Sequence, residues 1–410
     1  MALQRGRHGV PRSHRLRWAL AASLVVVAMA LQLTRAVPSP VVHAAMTLTG
    51  DPVTGTAPTL PWPTTGQSAV AVPGRGLLLP SGPETPVPVA SLTKIMTAYL
   101  VLLDHPLSPD AQGPGVSMIA SDVNDAAADE ADGATSVPVQ PGEVLTERQL
   151  LNGLLVHSAN NFADVLADWD AGTVPAFVAR MNAEAVVLGM HDTHYADASG
   201  LSSQSMSTAS DQLRVAMAAM ALPTFAVMVS QTSVTLPIAG VIPNYVSSIG
   251  SDGIVGVKSG FTQAAMGCLV MAADRSVNGR TVLVMAAVTG QPGLEPLDTA
   301  NAADISLIDA VAGALHERPI VADKTEAATV DTPWHDNGVP ADTARSVTLL
   351  AWPGDVIRMR FVPAPVRVGA RSGTLAGTLT VRDGDEHVSV PVRTTARVTP
   401  APLTWRLKRT

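Results

Sequence analysis

The chain has 410 residues, of which 47% are hydrophobic and 15% charged, and its net charge is −7. That length exceeds one ordinary domain, and that composition supplies a large core rather than a disordered chain. The diffuse negative charge offers no face for nucleic acid, and the single cysteine, Cys268, excludes an intrachain disulfide and a cysteine-based zinc site.

At the N-terminus Arg5, Arg7, Arg12, Arg15 and Arg17 precede an apolar run from Trp18 to Leu33. A positive flank followed by an apolar run is an export pattern. The run is 16 residues long, between a signal-peptide core and a full span of about 20 residues. Residues 1–37 therefore read as a signal peptide or an N-terminal membrane anchor. Val42-His43-Ala44 has the small residues of a cleavage site, though far downstream. Either way the rest of the chain lies outside the cytoplasm, secreted or anchored to the cytoplasmic membrane. Residues 38–60, rich in Pro, Thr and Gly, read as a linker.

Two short strands follow, Gln67 to Val72 and Arg75 to Leu79, around a Pro-Gly turn. Ser91 to Leu103 is apolar on nearly every side, which predicts a helix buried all round. The acidic stretch Asp122, Asp125, Asp129, Glu130 and Asp132 reads as a solvated loop, because its spacing is too irregular for cation ligands. Helical patterns continue over Leu145 to Asp168, Val174 to Leu188 and Thr208 to Leu222. Strands are predicted at Gly253 to Val257, Gly267 to Ala273 and Thr281 to Thr289, and a helix from Thr299 to Leu315. Beyond a break near 318–331 the pattern changes. Ser346 to Trp352, Val356 to Phe361, Gly373 to Val381 and His387 to Val392 alternate apolar and polar residues, as in a small all-β domain. The expected division is a catalytic domain over 61–317 and a β-rich domain over 318–410.

Three short motifs occur in order: Ser91-Leu-Thr-Lys94, Ser158-Ala-Asn160 and Lys258-Ser259-Gly260, the last followed by Phe261 and Thr262. Each is weak alone, and Ser91 by itself is as good a helix cap as a nucleophile. The order and wide separation of the three give them weight. So does the scarcity of lysine: only four of 27 basic residues are lysine, and two of those four lie in the motifs. Arginine keeps its proton, whereas a buried lysine can lose it.

The chemistry follows from the residue types. Serine needs a base to become a nucleophile, and Ser91 and Lys94, three apart on a helix, share one face. Burial and the positive helix end favour neutral lysine. The unpaired N–H of Ser91 at the helix start, with a donor at Phe261 on a neighbouring strand, forms a candidate oxyanion hole. Ser158 is positioned to pass a proton to the leaving nitrogen. Asn160 offers a substrate amide a paired donor and acceptor. Lys258 and Thr262 offer a terminal carboxylate charge-assisted hydrogen bonds. No metal or cofactor is needed. His191 and His194 lack an accompanying glutamate and read as a surface turn, and Cys268 reads as core.

The chain resembles the low-molecular-mass penicillin-binding proteins, the serine-type D-alanyl-D-alanine carboxypeptidases. The resemblance is carried by Val87-Pro-Val-Ala-Ser-Leu-Thr-Lys-Ile-Met-Thr-Ala98, by Leu150-Leu-Asn-Gly-Leu-Leu-Val-His-Ser-Ala-Asn160, and by Ala196-Asp-Ala-Ser-Gly-Leu201 with Ser207-Thr-Ala209. It runs from about Pro61 to Ala314, and less specifically into the β-rich portion. It implies an α/β (α+β) serine transpeptidase/β-lactamase-like domain followed by a small all-β domain. It also implies an acyl-enzyme on Ser91, with catalytic residues Ser91, Lys94 and Ser158 and a substrate site of Asn160, Lys258, Ser259, Gly260 and Thr262. The partners implied are peptidoglycan stem peptides, which lose their last D-alanine, and β-lactam antibiotics as covalent inhibitors.

Three departures stand out. Ser259 replaces the common threonine but keeps the hydroxyl. Asn161 stands where the family often has an acidic residue, which puts a supporting contact in doubt. The tail Trp405-Arg-Leu-Lys-Arg-Thr410 is too short for the family's amphipathic membrane helix, so attachment is expected from the N-terminus. Two rival functions share the motifs, a β-lactamase and a β-lactam- or peptidoglycan-binding sensor. The former needs a glutamate to activate the deacylating water. Glu184, the only glutamate between the second and third motifs, lies in a helical segment instead.

Overall fold

The structure is a computed structural model that describes residues 12–46, 49–53 and 57–409. Ten helices are described: α1 Arg12–Thr34, α2 Thr93–Asp104, α3 Ala120–Ala131, α4 Glu147–Val156, α5 Asn160–Ala171, α6 Val174–Val187, α7 Ala209–Met220, α8 Pro223–Val229, α9 Pro296–Ala314 and α10 Leu403–Lys408. A five-stranded antiparallel sheet runs in the order Ile254–Thr262, Met266–Val277, Arg280–Gln291, Gln67–Val72, Leu77–Pro80.

Strand alternation splits this sheet between two cores. Cys268, Val270 and Ala272 face the large cluster formed with α2, α4, α5 and α7. Leu269, Met271 and Ala273 face a second cluster with Leu307, Ile308 and Val311 of α9. A sheet buried on both faces reads as a continuous apolar run, as Met266–Val277 does. Cys268 is fully buried, in keeping with its reading as core.

The second domain is a seven-stranded antiparallel sheet with its own core of Val330, Leu379, Val381, Val390 and their neighbours. A two-stranded sheet, His316–Val321 with Val347–Ala351, joins the domains. Val347 and Leu349 pack into the β core, whereas Leu350 and Trp352 pack into the α9 core. The expected fold, a mixed transpeptidase-like domain followed by an all-β domain, is the one observed.

Three local expectations change. Residues 38–60, read as a linker, supply two strands to the second domain's sheet. Val41–Ala44 pairs with Glu326–Asp331, and Thr49–Pro52 pairs with the strand Val356–Pro363. Four-residue edge strands carry little pattern of their own, and their partners lie some 300 positions away. The acidic stretch is helical rather than a loop: α3 exposes Asp125 and Glu130, half-buries Asp122 and Asp129 and buries Ala126, and Asp122 caps the helix by accepting from Ile119 N–H at 2.8 Å. The long helical region after Leu145 is broken in two, at residues 157–159.

Candidate active site

The chain enters the site through a tight 3₁₀ turn, Ala90–Leu92, that leads into α2. Nine of the twelve α2 residues are buried, so the helix is a fixed core element, as its apolar surround predicts, with Leu103 exposed near its end. Its first turn carries Lys94, which has no solvent exposure. Lys94 Nζ donates to Ser91 Oγ at 2.9 Å, Asn160 Oδ1 at 2.6 Å and the Ser199 carbonyl at 2.6 Å. Three acceptors account for all three donors of an ammonium.

Burial lowers the Lys94 pKa from 10.5 to about 7, against the opposing pull of Asp197, Asp164 and Asp129. Desolvation disfavours the charged amine, and the carboxylates limit the fall. Asp164 is itself pushed up to about 6 by burial and by its carboxylate neighbours. The amine next to Ser91 is therefore poised near neutrality, where a general base is most useful.

Ser158 and Asn160 owe their placement to the break between α4 and α5. Ser158 takes a left-handed backbone (φ 65°), uncommon for a residue with a side chain. The turn is held by Ala159 N–H to the Gly153 carbonyl at 3.1 Å and by Asn160 N–H to the Thr135 carbonyl at 2.9 Å. Gly153 is needed here because a Cβ would sit 2.4 Å from the ring of Phe162. Asn161, the departure noted above, is buried and clamps Val137 with both ends of its amide. Its Oδ1 accepts from Val137 N–H at 3.1 Å, and its Nδ2 donates to the Val137 carbonyl at 3.0 Å. The amide thus fixes the loop 133–137 that borders the cleft.

The third motif lies on Ile254–Thr262, the edge strand of the sheet beside the 3₁₀ turn. Lys258 and Gly260 pair with Val270 and Cys268, both members of the core beneath α2, so these two positions face Ser91. A Cβ at Gly260 would come 2.8 Å from Ser91 N and 3.2 Å from Ala90 Cβ. Only glycine lets the strand pass this close to Ser91. Lys258 is buried, and its Nζ donates to the Ser259 carbonyl at 2.8 Å. Its pKa falls well below 10.5 through burial and the nearby Lys94 charge.

These residues meet around a cleft of about 240 Å³. Ser91, Ser158, Asn160, Ser259, Gly260 and Phe261 line it. Lys94 and Lys258 lie buried beneath this lining. Thr262 is not among the lining residues: its hydroxyl accepts from Ala265 N–H at 3.1 Å and ties the turn after the strand. Leu201, from one of the segments that carry the resemblance, also lines the cleft, as do Thr135, Tyr245 and Leu297, which were not singled out in the sequence. Tyr245 stacks on His157, beside Ser158, with 4.9 Å between ring centroids. No local pattern marks it.

Ser199 was legible only as part of a longer resemblance, yet its carbonyl is one of three partners of Lys94. Asp197 orders that loop by accepting from Ser199 Oγ at 3.0 Å and Ser202 N–H at 3.1 Å, and from Ser205 Oγ. Gly200 (φ 83°) is required because a Cβ would collide with the Ala90 carbonyl. Glu184 sits on α6 beside Asp104, the last residue of α2. At 1.5 Å per residue that is roughly 15 Å along the helix from Lys94.

Comparison with known proteins agrees with this geometry. The chain is 35% identical over 204 residues to a D-alanyl-D-alanine carboxypeptidase of Mycobacterium tuberculosis, a match covering 48% of this chain and 65% of that protein. It is 34% identical over 218 residues to a D-alanyl-D-alanine endopeptidase of Pseudomonas aeruginosa, covering 50% and 66%. The chain thus spans just under two thirds of the length of these two relatives. The crystal structure of a peptidoglycan synthesis regulatory factor from Streptococcus pneumoniae superposes with a TM-score of 0.61, over 81% of this chain and 99% of that one, at 21% identity, which speaks to the fold. The sequence pattern of the D-alanyl-D-alanine carboxypeptidases (peptidase family S11) matches residues 66–289, and the chain belongs to that family.

Proposed function

We propose that this protein is a serine D-Ala-D-Ala carboxypeptidase that removes the terminal D-alanine of peptidoglycan stem peptides. The observation that carries this reading is the 2.9 Å hydrogen bond between buried Lys94 and Ser91 at the floor of the cleft. Neutral Lys94 takes the Ser91 proton as Oγ attacks the carbonyl carbon of the D-Ala-D-Ala amide. The N–H groups of Ser91 and Phe261 hold the oxyanion. The C–N bond then breaks, and the proton reaches the departing amine through Ser158. D-Alanine leaves, and the shortened peptide remains as an ester on Ser91. Water, deprotonated by Lys94, cleaves that ester and restores the serine.

Asn160 orients the peptide amide. Lys258, with the hydroxyl of Ser259 that lines the cleft, receives the terminal carboxylate, and that negative charge favours the ammonium form of Lys258. A β-lactam carries an amide and a carboxylate in a similar relation, so it acylates Ser91 by the same first step. A β-lactamase of the glutamate-dependent kind would need, besides Lys94, a carboxylate aimed at the ester-cleaving water. The position of Glu184 beside Asp104 does not supply one. The names of the relatives cover both carboxypeptidase and endopeptidase cleavage, two uses of one acyl-enzyme. The exposed apolar helix α1 fits export, with the catalytic domain outside the cytoplasm, either secreted or membrane-anchored.

The test is release of D-alanine from a D-Ala-D-Ala-terminated pentapeptide. Native protein should release it and should be labelled by a penicillin probe, and Ser91→Ala should do neither. D-Alanine release surviving in Ser91→Ala would refute the mechanism.

A further inference from the structure

Three features outside the cleft converge on the junction of α1 with the second domain. The first is α1 itself. Its segment Leu16–Thr34 has 19 residues, a mean hydropathy of 1.8 and no burial. At 1.5 Å per residue it is about 28 Å long, close to the hydrocarbon thickness of about 30 Å. The arginines before it mark the cytoplasmic side, so its C-terminal end faces outward.

The second feature is a cap on that outer end. Arg409 donates to the carbonyls of Ala36 at 3.0 Å, Arg35 at 2.7 Å and Gln32 at 3.2 Å. Arg406 donates to the Leu33 carbonyl at 2.8 Å, and Gln32 Nε2 donates to the Arg409 carbonyl. Carbonyls at a helix C-terminus lack partners of their own, and two arginines there also meet the negative end of the helix dipole. Arg409 in addition stacks over Trp405, 5.4 Å from the ring centre.

The third feature is the strand Val41–Ala44, paired with Glu326–Asp331 along four residue pairs. Cleavage after Ala44 would discard both this strand and the capped helix. Only residues 35–40 separate α1 from the strand, a tether of about 20 Å at full stretch. The strand thereby ties the second domain to the outer end of α1.

Around this junction Trp334 and Trp405 meet edge to face at 5.2 Å. Leu403 and Leu407, one turn apart on α10, are exposed. Arg35, Arg406, Lys408 and Arg409 add four cations. Indole rings, exposed leucines and basic side chains together match the interfacial zone of an anionic bilayer.

We propose that α1 is retained as a membrane anchor and that α10, with Trp334, forms a basic and aromatic collar around its outer end, seating the second domain on anionic phospholipid headgroups. This deepens the reading of an exported enzyme and rests on it for orientation.

The test uses the full chain purified from bacterial membranes. Its N-terminal sequence should precede Arg12, and it should resist carbonate extraction. A mature chain beginning at or after Ala45 would overturn the proposal. With Gln32→Cys and Arg409→Cys, a short bismaleimide should link the two positions, since the native cysteine is buried; absence of that linked peptide would refute the collar. In vesicles of brominated phosphatidylglycerol, Trp405→Phe should lose a quenchable part of the tryptophan emission, and unchanged quenching counts against contact with lipid. D-Alanine release from a soluble pentapeptide, measured on the same samples, separates this outcome from failure of the enzymatic reading.

Discussion

Lys94 is a lysine whose burial and neighbours oppose one another. Desolvation drives its pKa down, the carboxylates Asp197, Asp164 and Asp129 hold it up, and the balance falls at about 7. Acylation of Ser91 should therefore rise as pH climbs through about 7 and level off above, because the neutral amine is the base. The stability sign is also fixed. Between about 7 and 10.5 the unfolded chain binds a proton that folded Lys94 does not, so this residue makes stability rise with pH over that window. Lys94→Arg keeps the charge and removes the base, and its labelling by a fluorescent penicillin should collapse at every pH. Normal labelling would remove Lys94 from that role. Gly260 acts by what it lacks. Gly260→Ala places a methyl 2.8 Å from Ser91 N, and a shift of the nucleophile by about 1 Å costs about 100-fold in rate. Stopped-flow acylation measures that loss, and an unchanged rate would show that the strand can retreat freely.

The elements supply what the residues require. α2 is rigid because it is packed on nearly every side, so the Ser91–Lys94 geometry is set by its core contacts rather than by the cleft. The α4–α5 break does the opposite work: it interrupts a helix to bring Ser158 to the surface of the cleft. Asn161 holds this arrangement through its clamp on buried Val137. The acidic residue common in the family at this position could accept from Val137 N–H but could not donate to its carbonyl. Asn161→Asp should thus destabilise the protein by about 1–3 kcal/mol, read as a lower urea midpoint, because a buried carbonyl loses its partner. An equal or higher midpoint would show that the loop rearranges to satisfy it.

Across the whole molecule, the two domains are joined by more than a covalent connection. The turn after Gln67–Val72 inserts into the second domain, where Arg75 pairs with Glu386 at 2.7 Å, lies 4.0 Å from Asp383 and donates to the Leu350 carbonyl. Backbone contact reinforces it, from Asp385 N–H to the Gly74 carbonyl at 2.6 Å. The Arg75 and Asp383 side chains are 12% and 5% exposed and Glu386 is 26% exposed, so this is a partly buried group of charges. Removing Arg75 leaves Glu386 with Arg280, 3.1 Å away, but takes the cation from beside Asp383 and the donor from the Leu350 carbonyl, at a cost of about 1–3 kcal/mol. Arg75→Ala should lower the melting temperature and split a single calorimetric transition into two. One undivided transition at the native temperature would show that the two-stranded junction alone couples the domains.

The sequence alone determined the fold class, a mixed domain followed by an all-β one, the buried helix that carries Lys94, and the three motifs, because each rests on local pattern: periodicity, residue type and order along the chain. Ser91 and Lys94 were legible because three residues on a helix already fix their proximity. Tertiary structure alone decided the rest. The Ser199 carbonyl and the Tyr245 ring reach the cleft from loops whose sequences have no period. Asn161 became intelligible only with Val137 beside it. The strands at Val41–Ala44 and Thr49–Pro52 exist only because distant strands pair with them. A hydrogen bond between residues hundreds of positions apart leaves no imprint on either neighbourhood, so such contacts appear only when the chain is folded.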